Sequence, residues 1–262
     1  MTKTAFRPDM HGFAFANSWQ FDEVERQLMR ETFARYHKWT IVAGAAAFGL
    51  LGAVLVPIGV SALRKKLEAE LAQGYGLCGG MVFAALDYHK AHLALPRGDG
   101  PNDRPASGTP LRGYLWKRQL QSLAKDLPRF LAWLILLNYV PSRWPFRGGP
   151  AWLLERSLEE WQAIRPLLDA GEPVPLGLVR ATNYVFDNHQ VLAIGYRGTN
   201  PTHTTVHLYD PNYPDQESAI YLAFSEPGSN GALLSLEESR HPAKPLRGIF
   251  RERYTPSDPT AP

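Results

Sequence analysis

The sequence predicts an α+β fold, in which helices come first along the chain and an antiparallel sheet follows. The first observation is that apolar residues recur at helical spacing as far as Ala170. The second is that the pattern changes, from Val174 onwards, to short runs rich in β-branched and aromatic residues. Helices followed by strands are typical of α+β proteins with an antiparallel sheet. With 262 residues, the chain is long enough to bury a core of its own.

The composition excludes several classes of protein. A single cysteine cannot form an internal disulfide or a cysteine-rich zinc site. The 28 basic and 25 acidic residues leave a net charge of +3, which is too small and too evenly spread to indicate nucleic-acid binding. His203 and His207 lie near Asp210 in the sequence, but turn and surface histidines are commoner than metal ligands. We therefore expect no metal, no cofactor and no nucleic-acid partner.

The N-terminal segment, residues 1–70, contains the most unusual feature of the sequence. After an amphipathic helix predicted over Phe21–Lys38, the run Ile41–Leu63 has no ionisable side chain and is flanked by basic residues. About 20 apolar residues suffice to span a bilayer, and flanking charges are typical of membrane helices. We predict one long apolar helix that associates with the membrane, with the rest of the chain on the cytoplasmic side. The alternative is a soluble cytoplasmic protein in which the run is buried in the core or in a homo-oligomer interface.

Cys78 lies in the glycine-rich stretch QGYGLCGG, directly before an apolar helical pattern. A thiol at a helix N-terminus is close to the positive end of the helix dipole and to free backbone N–H groups, which favour the nucleophilic thiolate. The alternative is a small buried apolar residue, which is the commonest role of cysteine. Farther along the predicted helix, Asp87, His89 and His92 are expected on the solvated face.

His189 lies at the start of the apolar strand in NHQVLAIGY, where a purely structural histidine would be unusual. The polar stretch RGTNPTHT and the following strand TTVHLYD predict a hairpin. A turn centred on Asn200 would pair position 189 with position 211 and bring Asp210 beside His189. The acid could hold the imidazole in one tautomer and stabilise the imidazolium. Asn212 is the alternative orienting residue, Asp187 is the third candidate, and DPN also fits an ordinary turn.

The segments GYGLCGGMVFAAL, NHQVLAIGY and YDPN, in this order, resemble the papain-like cysteine peptidases. In detail the sequence is most similar to the bacterial branch that includes the bacteriocin leader-processing, or double-glycine, peptidases. The resemblance covers Gln73–Tyr254 and implies a papain-like domain over residues 71–255, followed by a flexible tail over residues 256–262. Such a domain has its cysteine at the head of a buried helix and its histidine in an antiparallel sheet. The apolar run of residues 41–63 belongs to no papain-like core and is an addition to it.

The resemblance also implies a role for each site residue. Cys78 would be the nucleophile, His189 the general base and Asp210 the acid that orients the histidine. The oxyanion hole would combine the backbone N–H of Cys78 with the amide of a side chain. The family uses a glutamine shortly before the cysteine; here Gln73 is five residues before it, and Asn17 is the other candidate.

We therefore expect a cysteine hydrolase, in particular a peptidase, that cleaves an amide or ester bond of a peptide or acyl substrate through an acyl-enzyme. The same three residues would also serve an acyltransferase or a transamidase. The alternative from a different class is a catalytically inactive, membrane-tethered binding protein of the same fold.

Overall fold

The computed structural model describes residues 1–35, 42, 57, 61, 76–139, 149–180, 187–198, 203–224 and 246–260. These residues form an α+β structure with five helices and a six-stranded antiparallel sheet. The predicted fold class, with helices before an antiparallel sheet, is confirmed at this level. In chain order, the described elements are β1 (Thr2–Lys3), α1 (Pro8–His11), α2 (residues 23–35), α3 (Cys78–Lys90), α4 (Pro110–Tyr139), α5 (Gly149–Asp169), β2 (Val174–Arg180), β3 (His189–Arg197), β4 (His203–Tyr209), β5 (Glu217–Ala223) and β6 (Leu246–Arg251).

The sheet is covered by helices on both faces. Its strand order is β5-β4-β3-β2-β6, and the short β1 pairs with one end of β3. Leu192 and Ile194 of β3 belong to a core shared with α3 and α4, whereas Val191 and Ala193 belong to a second core that includes α5. Successive side chains of a strand point to opposite faces. Because both faces of β3 are buried, its sequence HQVLAIGY is a nearly continuous apolar run.

The head of α3 is seated against α4 by a close backbone approach. A Cβ atom at Gly80 would lie 2.3 Å from the carbonyl oxygen of Leu115 in α4, so only glycine fits at this position. The N–H of Gly80 also donates to Oε1 of Gln119, at 2.8 Å. The helix begins at Cys78, as predicted, and these contacts hold its first turn in place.

The register of the β3–β4 hairpin differs from the one that we predicted. We expected position 189 opposite position 211, a register that would pair Leu192 with Leu208. The structure pairs Leu192 with Tyr209 instead, a shift of one residue. The hairpin is not centred on position 200, and a β-bulge at Ile194 puts an extra residue on β3. The predicted pairing was therefore wrong, although the two strands do form a hairpin.

The predicted apolar helix over Ile41–Leu63 lies outside the described residues, apart from the single positions 42, 57 and 61, and it stays a prediction. Among the residues that the structure describes, no helix combines the length and the apolarity needed to cross a membrane. Residues 23–35, within the predicted amphipathic helix, are helical.

Asp87 was expected on a solvated helix face, and this prediction was wrong. Its carboxylate is buried, forms an ion pair of 2.7 Å with Arg118 and accepts hydrogen bonds from the hydroxyls of Tyr114 and Tyr254. The backbone N–H of Ser257 also donates to it, at 3.0 Å. The carboxylate therefore joins α3 to α4 and to the start of the segment that was predicted to be a tail.

Candidate active site

Three elements bring together the residues that the sequence singled out. Cys78 is the first residue of α3, His189 is the first residue of β3, and Asp210 directly follows β4. Because α3 packs on β3 and β3 pairs with β4, the three positions meet at one end of the sheet. Cys78 and His189 line the same cavity, which has a volume of about 230 Å³.

The His189 ring is held by a buried carboxylate. Its Nε2 atom lies 2.6 Å from Oδ1 of Asp210, and each of the two residues is only 8% exposed. The same Oδ1 accepts a hydrogen bond of 2.8 Å from the backbone N–H of Asn212. Since Nε2 is engaged by Asp210, Nδ1 is the ring nitrogen left for the thiol of Cys78.

The electrostatics of the site favour an ionised His189–Asp210 pair. Burial lowers the pKa of His189, but the charge of Asp210 and hydrogen bonds with Asp210 and Cys78 outweigh it and raise the pKa to about 10. Burial raises the pKa of Asp210, but the positive charge of His189 and its hydrogen bond outweigh that and leave the pKa below its usual value. At neutral pH the pair is therefore an imidazolium and a carboxylate. An imidazolium next to a thiol stabilises the thiolate.

The Cys78 side chain is half-buried and has a second neighbour, Gln190. The thiol lies 3.7 Å from Oε1 of that glutamine, within the range of a weak sulfur hydrogen bond. Its position at the head of α3 also places it among the first N–H groups of a helix, which have no partner within the helix. The backbone N–H of Cys78 is one of these groups, so it could bind an oxyanion that forms on a carbonyl attacked by Sγ.

Asn17 reaches the site from the N-terminal segment. Its Oδ1 accepts a hydrogen bond of 2.6 Å from the backbone N–H of Leu77, directly before the cysteine, and the residue lines the same cavity. Gly76 permits this approach, because a Cβ atom there would lie 2.3 Å from Nδ2 of Asn17. One N–H of Nδ2 donates to Oδ1 of Asn212, at 2.9 Å. An amide nitrogen carries two N–H groups, so the second one could bind an oxyanion. The other oxyanion candidate, Gln73, lies outside the described residues.

Asn212, the alternative orienting residue, takes a different place. Its backbone N–H binds the Asp210 carboxylate and its side chain binds Asn17. It therefore supports the acid and the amide rather than contacting Nε2 of His189, a position that Asp210 occupies.

Sequence reasoning missed a polar group on the wall of the cavity. Gln190 follows His189 in β3, and its Nε2 donates to Oγ of Ser122, at 3.2 Å, and to Oε1 of Glu252. Its Oε1 accepts from Nε2 of Gln119, at 3.3 Å. The available signal was a glutamine inside an otherwise apolar strand, since a polar side chain that is partly removed from water needs partners.

These features define an α+β protein in which a cysteine and a histidine line one cavity and a buried aspartate holds the histidine ring. In the described parts of the chain, no group of three or more His, Cys, Asp or Glu side chains is arranged to hold a metal ion. Comparison with known protein families, with characterised proteins and with solved structures finds no match to this chain. A function for this chain therefore has to be argued from the site itself and not from similarity to a known protein.

Proposed function

We propose that this protein is a cysteine hydrolase of the papain-like class that cleaves an amide or ester bond of a peptide or acyl substrate. The observation that carries the proposal is the position of His189, between the Asp210 carboxylate and the Cys78 thiol at one cavity. The architecture is in keeping with it, because the cysteine begins a buried helix and the histidine begins a strand of an antiparallel sheet. The order and spacing of the sequence segments around these residues support the same class.

The chemistry follows from the charges of the site. The Cys78 thiolate attacks the substrate carbonyl, and the oxyanion that forms is stabilised by the backbone N–H of Cys78 and by the second N–H of the Asn17 amide. The His189 imidazolium then gives its proton to the leaving amine or alkoxide, and the C–N or C–O bond breaks to leave a thioester on Sγ. Neutral His189 next removes a proton from water, which attacks the thioester and releases the carboxylic acid and the thiol.

Asp210 acts as a positioning residue in this scheme. Its carboxylate holds Nε2 of His189 and stabilises the positive charge of the ring, while the proton that moves is carried on Nδ1. An amine or alcohol in place of water would make the same groups an acyltransferase or a transamidase. We also propose that residues 41–63 associate the domain with a membrane, because their length and flanking charges are those of a membrane helix.

The first experiment measures the reactivity of the thiol. Cys78 is the only cysteine of the chain, so alkylation by iodoacetamide at pH 7 can be followed by mass spectrometry of the intact protein. We expect His189→Ala to slow alkylation about 100-fold, because the positive charge that stabilises the thiolate is lost. The matched control is His207→Ala, which removes an imidazole bound to Glu217 on the sheet, away from the cavity.

The outcome separates an enzyme from an inactive binding protein of the same fold. Equal alkylation rates in the wild type, His189→Ala and His207→Ala would contradict the proposal, because the histidine would then not activate the thiol. Once a substrate is found, Cys78→Ala and His189→Ala should each abolish turnover, and Asp210→Ala should reduce it less because Asp210 orients and does not react.

A further inference from the structure

The cavity contains an acidic side chain that the proposed mechanism does not use. Glu252 follows β6, is only 4% exposed and lines the cavity together with Cys78. Its Oε1 accepts the hydrogen bond of Gln190. Among the residues that the structure describes, Oε2 has no hydrogen-bond partner. A buried carboxyl oxygen without a partner is costly, so a ligand that supplied a donor would relieve this cost.

The neighbouring carboxylate, Asp126, shows what Glu252 lacks. Asp126 is equally buried and lines the same cavity, but it forms ion pairs of 3.0 Å with both Arg129 and Arg253. No ion pair is formed by Glu252 within the described part of the chain. Burial raises the pKa of Glu252 to about 8; the charge of Asp126 adds to this, and the Gln190 hydrogen bond and the charges of Arg129 and His189 oppose it. The ionised form of the group therefore gains most from a ligand that carries a positive charge, and such a ligand in turn favours ionisation.

The rest of the cavity suits the stem of such a ligand. Its wall includes apolar side chains from α2, α4 and β6, namely Phe33, Leu123, Leu127, Phe130 and Phe250. Long basic side chains bury an aliphatic stem along apolar surface and place the charge at a polar end. Gln190 joins the two ends of the site, because its amide contacts both the Cys78 thiol and the Glu252 carboxyl. A group held by Glu252 would thus lie next to the reacting carbonyl.

We propose that Glu252 is a specificity-determining residue whose free carboxyl oxygen binds an ammonium or guanidinium group of the substrate, close to the bond that Cys78 attacks. This inference rests on the proposed function and names the class of substrate, a peptide or acyl compound with a basic group. A solely structural role would confine Glu252 to holding Gln190, and it would not discriminate between charged and neutral ligands.

The test uses three reagents that share one reaction and differ in a charge that does not change with pH: 2-(trimethylammonio)ethyl, methyl and 2-sulfonatoethyl methanethiosulfonate. In each case the Cys78 thiolate attacks the sulfenyl sulfur, a disulfide forms and methanesulfinate leaves. The measured quantity is the ratio of the labelling rates of the cationic and the anionic reagent in the full-length protein. We expect Glu252→Gln to lower this ratio at least about tenfold at pH 8.5, because the variant keeps the size and loses the charge.

Two controls separate the effect from a general change of charge or of folding. Glu217→Gln removes one carboxylate that pairs with Lys3 and His207 outside the cavity, and it should leave the ratio unchanged. In the wild type the ratio should itself rise between pH 6.5 and pH 9, as Glu252 ionises with a pKa of about 8. The second measurement needs no variant, so it tests the inference even if Glu252→Gln does not fold.

The results distinguish this inference from the proposed function. If the ratio is the same in the wild type and Glu252→Gln and does not vary with pH, while labelling by the methyl reagent still depends on His189, the inference is wrong and the proposed function stands. If labelling by all three reagents is independent of His189, the proposed function fails and the inference fails with it.

Discussion

The substitution Asp210→Asn tests the charge at the centre of the site while keeping its shape. The pKa of His189 is raised from 6.5 to about 10 with the carboxylate in place. At about 1.4 kcal/mol per pH unit, this net difference corresponds to about 5 kcal/mol, which Asp210 and Cys78 together supply against the opposing effect of burial. The amide retains an oxygen at the position of Oδ1 but no charge, so we expect roughly half of this free energy to be lost. That corresponds to a roughly 100-fold slower alkylation of Cys78 at pH 7.

Two measurements report the loss of the Asp210 charge. Alkylation of Cys78 by iodoacetamide reports the thiolate, and NMR titration of the histidine ring reports the pKa of His189 directly. In Asp210→Asn that pKa should fall well below 10, because burial still acts on the ring and the charge of Asp210 no longer opposes it. Glu217→Gln is the control, since it removes the carboxylate beside the half-buried His207, away from the cavity, and should not change the alkylation rate. If Asp210→Asn left both the rate and the pKa of His189 unchanged, the carboxylate would not be the source of the imidazolium.

Three further predictions concern stability and location. Because burial raises the pKa of Glu252 to about 8, the contribution of this group to stability is present below about pH 4.5 and is lost as the pH rises to 8. In urea unfolding, the free energy of unfolding of Glu252→Gln should therefore fall between pH 5 and pH 8 by up to about 5 kcal/mol less than that of the wild type. Equal losses in the two proteins would contradict the burial argument. Gly80→Ala should reduce the free energy of unfolding by about 1–3 kcal/mol, because the new Cβ atom clashes with the carbonyl oxygen of Leu115. The control Gly113→Ala, in open space on α4, should raise the free energy of unfolding by about 0.5–1 kcal/mol. Similar values for the two variants would refute the clash. The full-length chain should sediment with membranes, and Leu51→Asp in the run of residues 41–63 should weaken this association by about 3 kcal/mol; a wild type that stays soluble without detergent would exclude the anchor.

Local features of the sequence sufficed for the elements that carry Cys78 and His189. A glycine-rich stretch before a helical pattern predicted a helix head at Cys78, and α3 begins there. A histidine before an apolar run predicted a strand start at His189, and β3 begins there. These features depend on neighbouring residues only, because glycine and hydrophobic periodicity influence secondary structure within a few residues along the chain.

The strand register was less predictable than the strands themselves. Counting from a presumed turn placed Asp210 beside His189 for a reason that does not hold, since the β-bulge at Ile194 and the position of the turn shift the ladder. Asp210 still meets Nε2 of His189 because it lies just beyond the end of β4, where the chain turns and Tyr213 N–H binds its carbonyl oxygen. A bulge depends on contacts across the sheet, and residue counting does not include them.

The sequence by itself determined the fold class, the helix that begins at Cys78 and the strand that begins at His189, and the chemistry that these side chains can perform. The tertiary structure decided which polar groups complete the site: Asn17, 60 residues before Leu77, and Glu252, 62 residues after Gln190. Whether a polar side chain is buried, and whether it has a partner there, depends on packing between elements far apart in the chain. Residue type and spacing do not show such burial, and for that reason the Glu252 Oε2 atom, which has no hydrogen-bond partner among the described residues, became evident only in the folded protein.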